Sequence, residues 1–263
     1  MPQIWGIINA TPDSFYDGNP QNTPDTLITR AQAFVQAGAD ALDIGGESTR
    51  PNATPINEQE ELARVIPLLN ALRAHYKGLP LSLDTRHESV AAKGLANGAT
   101  IINDVSGNPT SELFSLVKKY DAQLVLMHTR GTPQTMQTQT DYKDLLGEVK
   151  DFLAEKISQA QAAGLVKEQL IIDVGFGFAK TRAQNYDLLK HLKFFKNLGV
   201  RLLVALSRKS FLSQPEDSPQ DRLPQTLAAH FIALEQGADI LRVHDVKETR
   251  QLITFYNEWE NIK

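Results

Sequence analysis

Apolar residues gather in eight short runs along this chain, at residues 4–8, 41–44, 79–83, 100–102, 123–127, 170–172, 200–206 and 239–243. Most are apolar through their length rather than alternating, as parallel strands covered on both faces should be. Between the runs, apolar residues recur at i, i+3 and i+4, the spacing that lines one face of a helix. These segments span about residues 24–37, 58–75, 88–97, 111–120, 141–163, 183–197, 220–236 and 247–259. Boundary signals agree with them. Thr85-x-x-Glu88 predicts a capping box, and Ser218-Pro219-x-Asp221 predicts a cap with proline in the first helical position. Gly38, Gly98, Gly164, Gly199 and Gly237 follow predicted helix ends, where a left-handed residue is useful.

Eight strands alternating with eight helices predict a (β/α)8 barrel, whose active site lies at the C-terminal ends of the strands. Residues 1–263 read as one domain, because no linker or composition shift interrupts the alternation. An open doubly wound sheet is the alternative. It is weakened because no G-x-G-x-x-G follows the first run.

Nearly every run ends in polar residues that packing does not require. Ser207-Arg208-Lys209-Ser210 and Arg242-Val243-His244 stand at the ends of the last two runs. In this architecture those loops often hold a phosphate, and Arg can grip its oxygens bidentately. One such Arg alone would read as a solvated charge or dimer contact; two adjacent basic clusters favour an anion site. Arg242 and His244 flank Val243, so both point to one side of a strand. Asp84, Asn103 and Asp173 also terminate runs. Each alone reads as a cap or loop hydrogen bond; together they suit a flat polar group with paired N–H donors. Residues 9–17 and 45–51 are rich in turn formers. Phe15, and Glu47 close to Arg50, point further, to lids over a barrel mouth. His128 reads as a structural hydrogen-bonding residue rather than a zinc ligand, since no partner stands at ligand spacing. Trp5 and Trp259 read as core or rim residues, and His75, His87, His191 and His230 as surface or packing residues.

Charge and composition narrow the field. A net charge of −4 argues against a nucleic-acid partner. The absence of cysteine excludes disulfides, thiolate catalysis and Cys–zinc sites. No signal peptide or 18-residue apolar window is visible, so a cytoplasmic protein without a membrane partner is expected.

The clusters, in this order, resemble dihydropteroate synthases of the folate pathway. The carrying motifs are Gly6-Ile7-Ile8-Asn9-Ala10-Thr11-Pro12-Asp13-Ser14-Phe15, Asp43-Ile44-Gly45-Gly46-Glu47-Ser48-Thr49-Arg50-Pro51, Ser82-Leu83-Asp84-Thr85, Ile102-Asn103-Asp104, residues 173–180, Ser207-Arg208-Lys209-Ser210 and Arg242-Val243-His244-Asp245-Val246. The resemblance spans essentially the whole chain. It implies a (β/α)8 barrel, usually a homodimer, that joins two small molecules, p-aminobenzoate and 6-hydroxymethyl-7,8-dihydropterin diphosphate. Magnesium (Mg2+) assists in the family, and sulfonamides target it.

Carried over residue by residue, the resemblance puts the pterin among Asp84, Asn103, Asp173 and Lys209. Diphosphate meets Asn9, Thr49, Arg50, Arg242 and His244, with Asn9 on the metal. Aminobenzoate lies near Thr49, Pro51, Phe178, Lys209 and Ser210 under Phe15, and Met127 joins the substrate-binding set. Asp17, Arg50, Lys209, Arg242 and His244 form the implied catalytic set. Departures from the family pattern are Asn52, Val174, Ala179 and Ala205, where the family usually has Gly, Pro, Gly and Gly. The N-terminal hairpin common in relatives is expected to be absent. Two competing readings remain: a non-catalytic pterin-binding or methyltetrahydrofolate-binding relative, and an aldolase forming a Schiff base on Lys209.

Overall fold

Strand alternation sorts the chain into two separate cores. The computed structural model describes residues 1–11, 24–48, 53–214 and 216–262. Eight parallel strands close into a barrel in sequence order. They are β1 Gln3–Asn9, β2 Ala41–Gly45, β3 Leu81–Thr85, β4 Ile101–Asp104, β5 Gln123–Met127, β6 Leu170–Asp173, β7 Arg201–Val204 and β8 Ile240–Val243. Among the described residues eight α-helices follow them in turn: α1 Pro24–Gln36, α2 Glu58–His75, α3 Glu88–Ala96, α4 Ser111–Lys119, α5 Leu145–Ala162, α6 Arg182–Lys190, α7 Leu223–Glu235 and α8 Val246–Ile262. Closure pairs β1 with β8, with Trp5 opposite Arg242.

One set of alternating positions, including Ile4, Ile8, Leu42, Leu83, Ile172 and Val243, joins the core between strands and helices. The other set fills the barrel. Trp5, Ala41, Ile101, Val125, Ile171, Leu203, Ala205 and Ile240 form its closed apolar plug. Trp5 is therefore a core residue, 1% exposed, whereas Trp259 is exposed on α8. Beyond the plug, the same inward positions turn polar on most strands near their C-terminal ends, as at Asp43, Asp84, Asn103, Asp173 and Arg242. That switch, on a rigid ring of strands, places the site.

Several boundaries differ from the sequence expectation. Thr85 completes β3, so it does not cap α3; His87 takes that position, and its N–H donates to Thr85 Oγ1 at 3.1 Å. Ser218 and Asp221 do bond reciprocally, but in a turn before α7. That helix begins at Leu223, so the proline of its first turn is Pro224 rather than Pro219. The segment at 183–197 breaks after Lys190 into a 3-10 turn, Leu192–Leu198. A 3-10 turn also recurs every three residues, so Leu192 and Phe195 still face the core. The helix expected from residue 141 starts at Leu145, capped by Asp144. All five predicted helix-ending glycines have positive φ.

Candidate active site

Polar residues from the strand ends surround a cavity of about 1140 Å³ at the C-terminal mouth of the barrel. Asn9 from β1, Asp84 from β3, Phe178 after β6, Lys209 after β7, and Arg242 and His244 from β8 and its loop line it. Asn103 and Asp173 are buried at the ends of β4 and β6 and are not among the lining residues. Ser210 also lines the cavity, and Met127 packs with Met136, Phe178 and Ala179 beside it.

Arg242 organises the floor. Its Nε donates to Asp43 Oδ2 and its Nη2 to Asp84 Oδ2, both at 2.5 Å. Asn103 Nδ2 donates to the same Asp43 oxygen at 3.2 Å. Burial works against its charge, but the two carboxylates hold the Arg242 guanidinium above its ordinary pKa. Burial pushes the Asp84 carboxyl up to about 7 against the pull of Arg242, and Asp43 adds to the rise. The contacts and the rise pull in opposite directions for Asp84. The hydrogen bond persists in either protonation state, since a neutral carboxyl still accepts from a guanidinium.

Burial also raises the Asp173 carboxyl, opposed by the Gly175 N–H, which donates to Oδ1 at 2.8 Å, and by Lys209. Burial lowers the Lys209 ammonium to about 8, while Asp173 pulls it back up. Its Nζ stands 4.5 Å from the centre of the Phe178 ring, a cation–π distance. The resemblance groups these residues around the pterin and aminobenzoate, and the fold brings Asp84, Asp173, Phe178 and Lys209 together.

The loop after β6 is fastened by a lysine that the sequence reading passed over. Lys180 Nζ donates to Gly175 O at 3.0 Å and Phe178 O at 2.9 Å, and stands 2.9 Å from His128 Nδ1. Burial lowers Lys180 to about 7. Burial and the neighbouring Lys180 lower His128 to about 2, so its ring is neutral and accepts. His128 is thus a structural hydrogen-bonding residue, as expected. Gly175 has φ +72, and a Cβ there would meet His128 O at 1.9 Å, so only glycine fits. Ala179 occupies a family glycine position at φ +50, which costs an L-residue about 1–2 kcal/mol.

The two basic clusters do not act alike. Ser207 through Ser210 all line the cavity, but the guanidinium of Arg208 is held on Asp245 through Nε at 3.0 Å and Nη2 at 2.5 Å. Glu47 is gripped bidentately by Arg86, at 2.7 and 3.0 Å. Phe15, Asp17, Thr49, Arg50, Pro51 and Asn52 lie outside the described residues.

Three residues named only within motifs have roles in the site that the sequence reading did not assign. Asp43, fully buried, holds Arg242; its only sequence signal was a carboxylate inside an apolar run. Lys180 was visible only as the last residue of the 173–180 motif. Ser207 accepts from the His244 N–H at 3.1 Å and lies 3.0 Å from its Nδ1, a pairing no local spacing reveals.

Known proteins sharpen this picture. The family model described as pterin binding enzyme matches residues 5–244. A dihydropteroate synthase of Synechocystis is 45% identical over 252 residues, covering 95% of this chain and 87% of the relative. The Yersinia pestis dihydropteroate synthase, solved as a sulfonamide drug complex, superposes with a TM-score of 0.93 at 41% identity. It covers 99% of this chain and 94% of that one. The Xanthomonas albilineans dihydropteroate synthase with 4-aminobenzoic acid gives a TM-score of 0.89 at 40% identity, covering 99% and 93%. With its motifs on one barrel mouth and these relatives matched over nearly their whole length, the chain belongs to the dihydropteroate synthase family of pterin binding enzymes.

Proposed function

We propose that the chain condenses 6-hydroxymethyl-7,8-dihydropterin diphosphate with p-aminobenzoate at this mouth, releasing 7,8-dihydropteroate and diphosphate. The observation that carries the reading is convergence: the strand-end acceptors Asp84, Asn103 and Asp173 gather with the cations Arg242 and Lys209 and with His244 at one barrel mouth. Asp173 and Asn103 face the amino and ring N–H edge of the pterin. Asp84 shares that edge, while Asp43 keeps Arg242 oriented. Arg242 and His244, with Thr49 and Arg50, hold the diphosphate. Aminobenzoate lies near Phe178, Met127, Lys209, Ser210, Thr49 and Pro51, under Phe15.

In the reaction the bond from the pterin methylene carbon to the diphosphate oxygen breaks, and its electron pair leaves with diphosphate. The amine nitrogen of aminobenzoate then bonds to that carbon and loses a proton. Charge develops on the departing oxygens, where preorganised donors contribute most. Arg242 and His244 supply them, and Asp17 offsets the positive charge on the pterin side. A neutral arylamine needs no strong base, so a nucleophilic triad is not required. The buried Lys209 serves as donor and cation rather than as a Schiff-base nucleophile.

Magnesium fits as a guest that arrives with diphosphate. Among the described residues no three His, Cys, Asp or Glu side chains cluster at metal-binding distance. Asn9, which lines the cavity, offers one hard oxygen. Magnesium keeps water and phosphate oxygens and tolerates a single protein ligand. When bound, it would neutralise charge on the leaving diphosphate.

Residues 1–263 act as one pterin-binding domain in this reading. A homodimer is supported by the outer face of α7 and α8, where Ile232, Phe255 and Trp259 are exposed beside Phe231. Light scattering that finds only monomer at micromolar concentration would contradict it. Among the described residues no helix is long and apolar enough to cross a membrane. We place the reaction in the cytoplasm; recovery of the native protein solely with membranes would contradict that.

The activity is tested by chromatographic detection of dihydropteroate from the purified chain with both substrates and magnesium. Product is expected, together with competitive inhibition by a sulfonamide against p-aminobenzoate. Absence of product with a folded, pterin-binding protein would overturn the reading.

A further inference from the structure

Arg208 stands where a glycine would be cheaper. Lys209 N–H donates to Leu206 O at 3.1 Å, closing a four-residue turn over 206–209. Arg208 is the third residue of that turn and has φ +59. A turn with positive φ at this position ordinarily takes Gly or Asn. An L-residue there is disfavoured by about 1–2 kcal/mol, so its side chain must contribute something the turn needs.

The backbone N–H and carbonyl of Arg208, and two of its guanidinium nitrogens, are tied to the next two elements. Its N–H donates to Thr226 Oγ1 on α7 at 3.1 Å, and its carbonyl accepts from Arg222 Nη1 at 3.1 Å. Its guanidinium forks onto Asp245, the residue after His244. The pair is largely buried, with side-chain exposures of 13% and 10%, so its planar bidentate geometry is little screened. The neighbouring residues pair as well. Ser207 accepts from the His244 N–H and lies within hydrogen-bond reach of its Nδ1. Two consecutive residues of the β7 loop thus grip two consecutive residues of the β8 loop.

The lower rung has a chemical consequence. Ser207 is buried, and its oxygen already accepts from a backbone N–H. Its single proton needs an acceptor, because a buried donor left unpaired is costly. His244 Nδ1 at 3.0 Å provides one. That places the ring proton on Nε2, where it can be donated to an anion.

We propose that Ser207, Arg208 and Asp245 are positioning residues: a two-rung clamp that aims Lys209 into the barrel and presents His244 with its proton on Nε2. The clamp rests on the preceding reading only in that Lys209 and His244 then act on the substrates. It acts by holding Lys209 and His244 in place.

The test uses the full chain. Asp245→Asn and Arg208→Lys weaken the upper rung without creating a cavity, and Ser207→Ala removes the lower one. kcat is expected to fall about 10–100-fold in each. Calorimetric affinity for a pterin lacking diphosphate, held also by residues of other strands, should change by no more than about threefold. The double variant of Arg208 and Asp245 should be little worse than the worse single one, because both break the same contact. Ring nitrogen NMR, assigned with His244→Gln, should find the His244 proton on Nε2 in the parent and exchanging between the Nδ1 and Nε2 tautomers in Ser207→Ala. Unchanged kcat in folded variants, pterin affinity lost in step with kcat, or an unaltered His244 tautomer would overturn the clamp. A parent chain that makes no dihydropteroate would count against the proposed function instead, and the ring spectrum would still decide the clamp.

Discussion

The lower and upper halves of the barrel interior are built from the same strands and obey opposite rules. Below, Trp5 and seven smaller apolar side chains fill most of the barrel, with the buried Ser82 level with Ile101. Above, within a few residues along the strands, Asp43, Asp84, Asn103 and Asp173 are buried, with the half-buried Arg242 bonded to the first two. Hydrophobic burial makes the lower half stabilising. Placing charges in a poorly solvated ring does the reverse, because removing ions from water costs several kcal/mol each. The lower half therefore supports an upper half that is organised for recognition rather than for stability.

That contrast can be broken most forcefully at Lys209. Lys209→Ala should lower turnover by more than about 100-fold, since a preorganised charged donor is lost. Its denaturation midpoint should stay level or rise, because a buried cation has gone. A fall in stability that matches the fall in activity would make the upper half structural after all. In the lower half, Trp5→Ala should cost about 3–5 kcal/mol in urea denaturation. Pterin affinity measured on the protein that remains folded should hold, and its loss would blur the division.

A subtler difference is the pH dependence of stability. Lys180 titrates near 7 when folded and at an ordinary 10.5 when unfolded. Between those values the unfolded chain binds the extra proton, so stability rises with pH. The burial penalty is full below about 7 and is relieved toward 10.5. The slope is at most about 1.4 kcal/mol per pH unit. Denaturation at pH 7 and 9 should show this rise in the parent and a flatter response in Lys180→Met. Parallel slopes would mean that Lys180 is solvated. The smallest expected effect is at Ala179. Replacing it by Gly relieves left-handed strain but adds unfolded-state entropy, leaving a gain of about 0.5–1 kcal/mol. Thermal denaturation that shows a loss would place the strain elsewhere.

The fold was legible because apolar runs and helical spacing are local signals. Residues 58–75 were predicted as a helix, and Glu58–His75 is one. Local signals misled where one pattern serves two structures. Thr85-x-x-Glu88 has the composition of a capping box, yet Thr85 belongs to a strand. Strand-end residues such as Asp84, Asp173 and Lys209 were legible as site candidates because a charge at the end of a buried run is conspicuous. Asp43 was not, because the arginine that explains it lies 199 residues away. Arg208 was read with its basic neighbours as part of an anion site. Nothing in its residue type announces a positive φ or a carboxylate 37 residues on.

The most direct test of the account is diphosphate release by the purified chain, with and without p-aminobenzoate, beside Asp173→Asn. The account predicts release that depends on p-aminobenzoate and collapses in the variant, which retains its fold but loses the carboxylate proposed to face the pterin. Release at the parental rate by Asp173→Asn would contradict it, because the carboxylate buried at the end of β6 would then have no part in the chemistry.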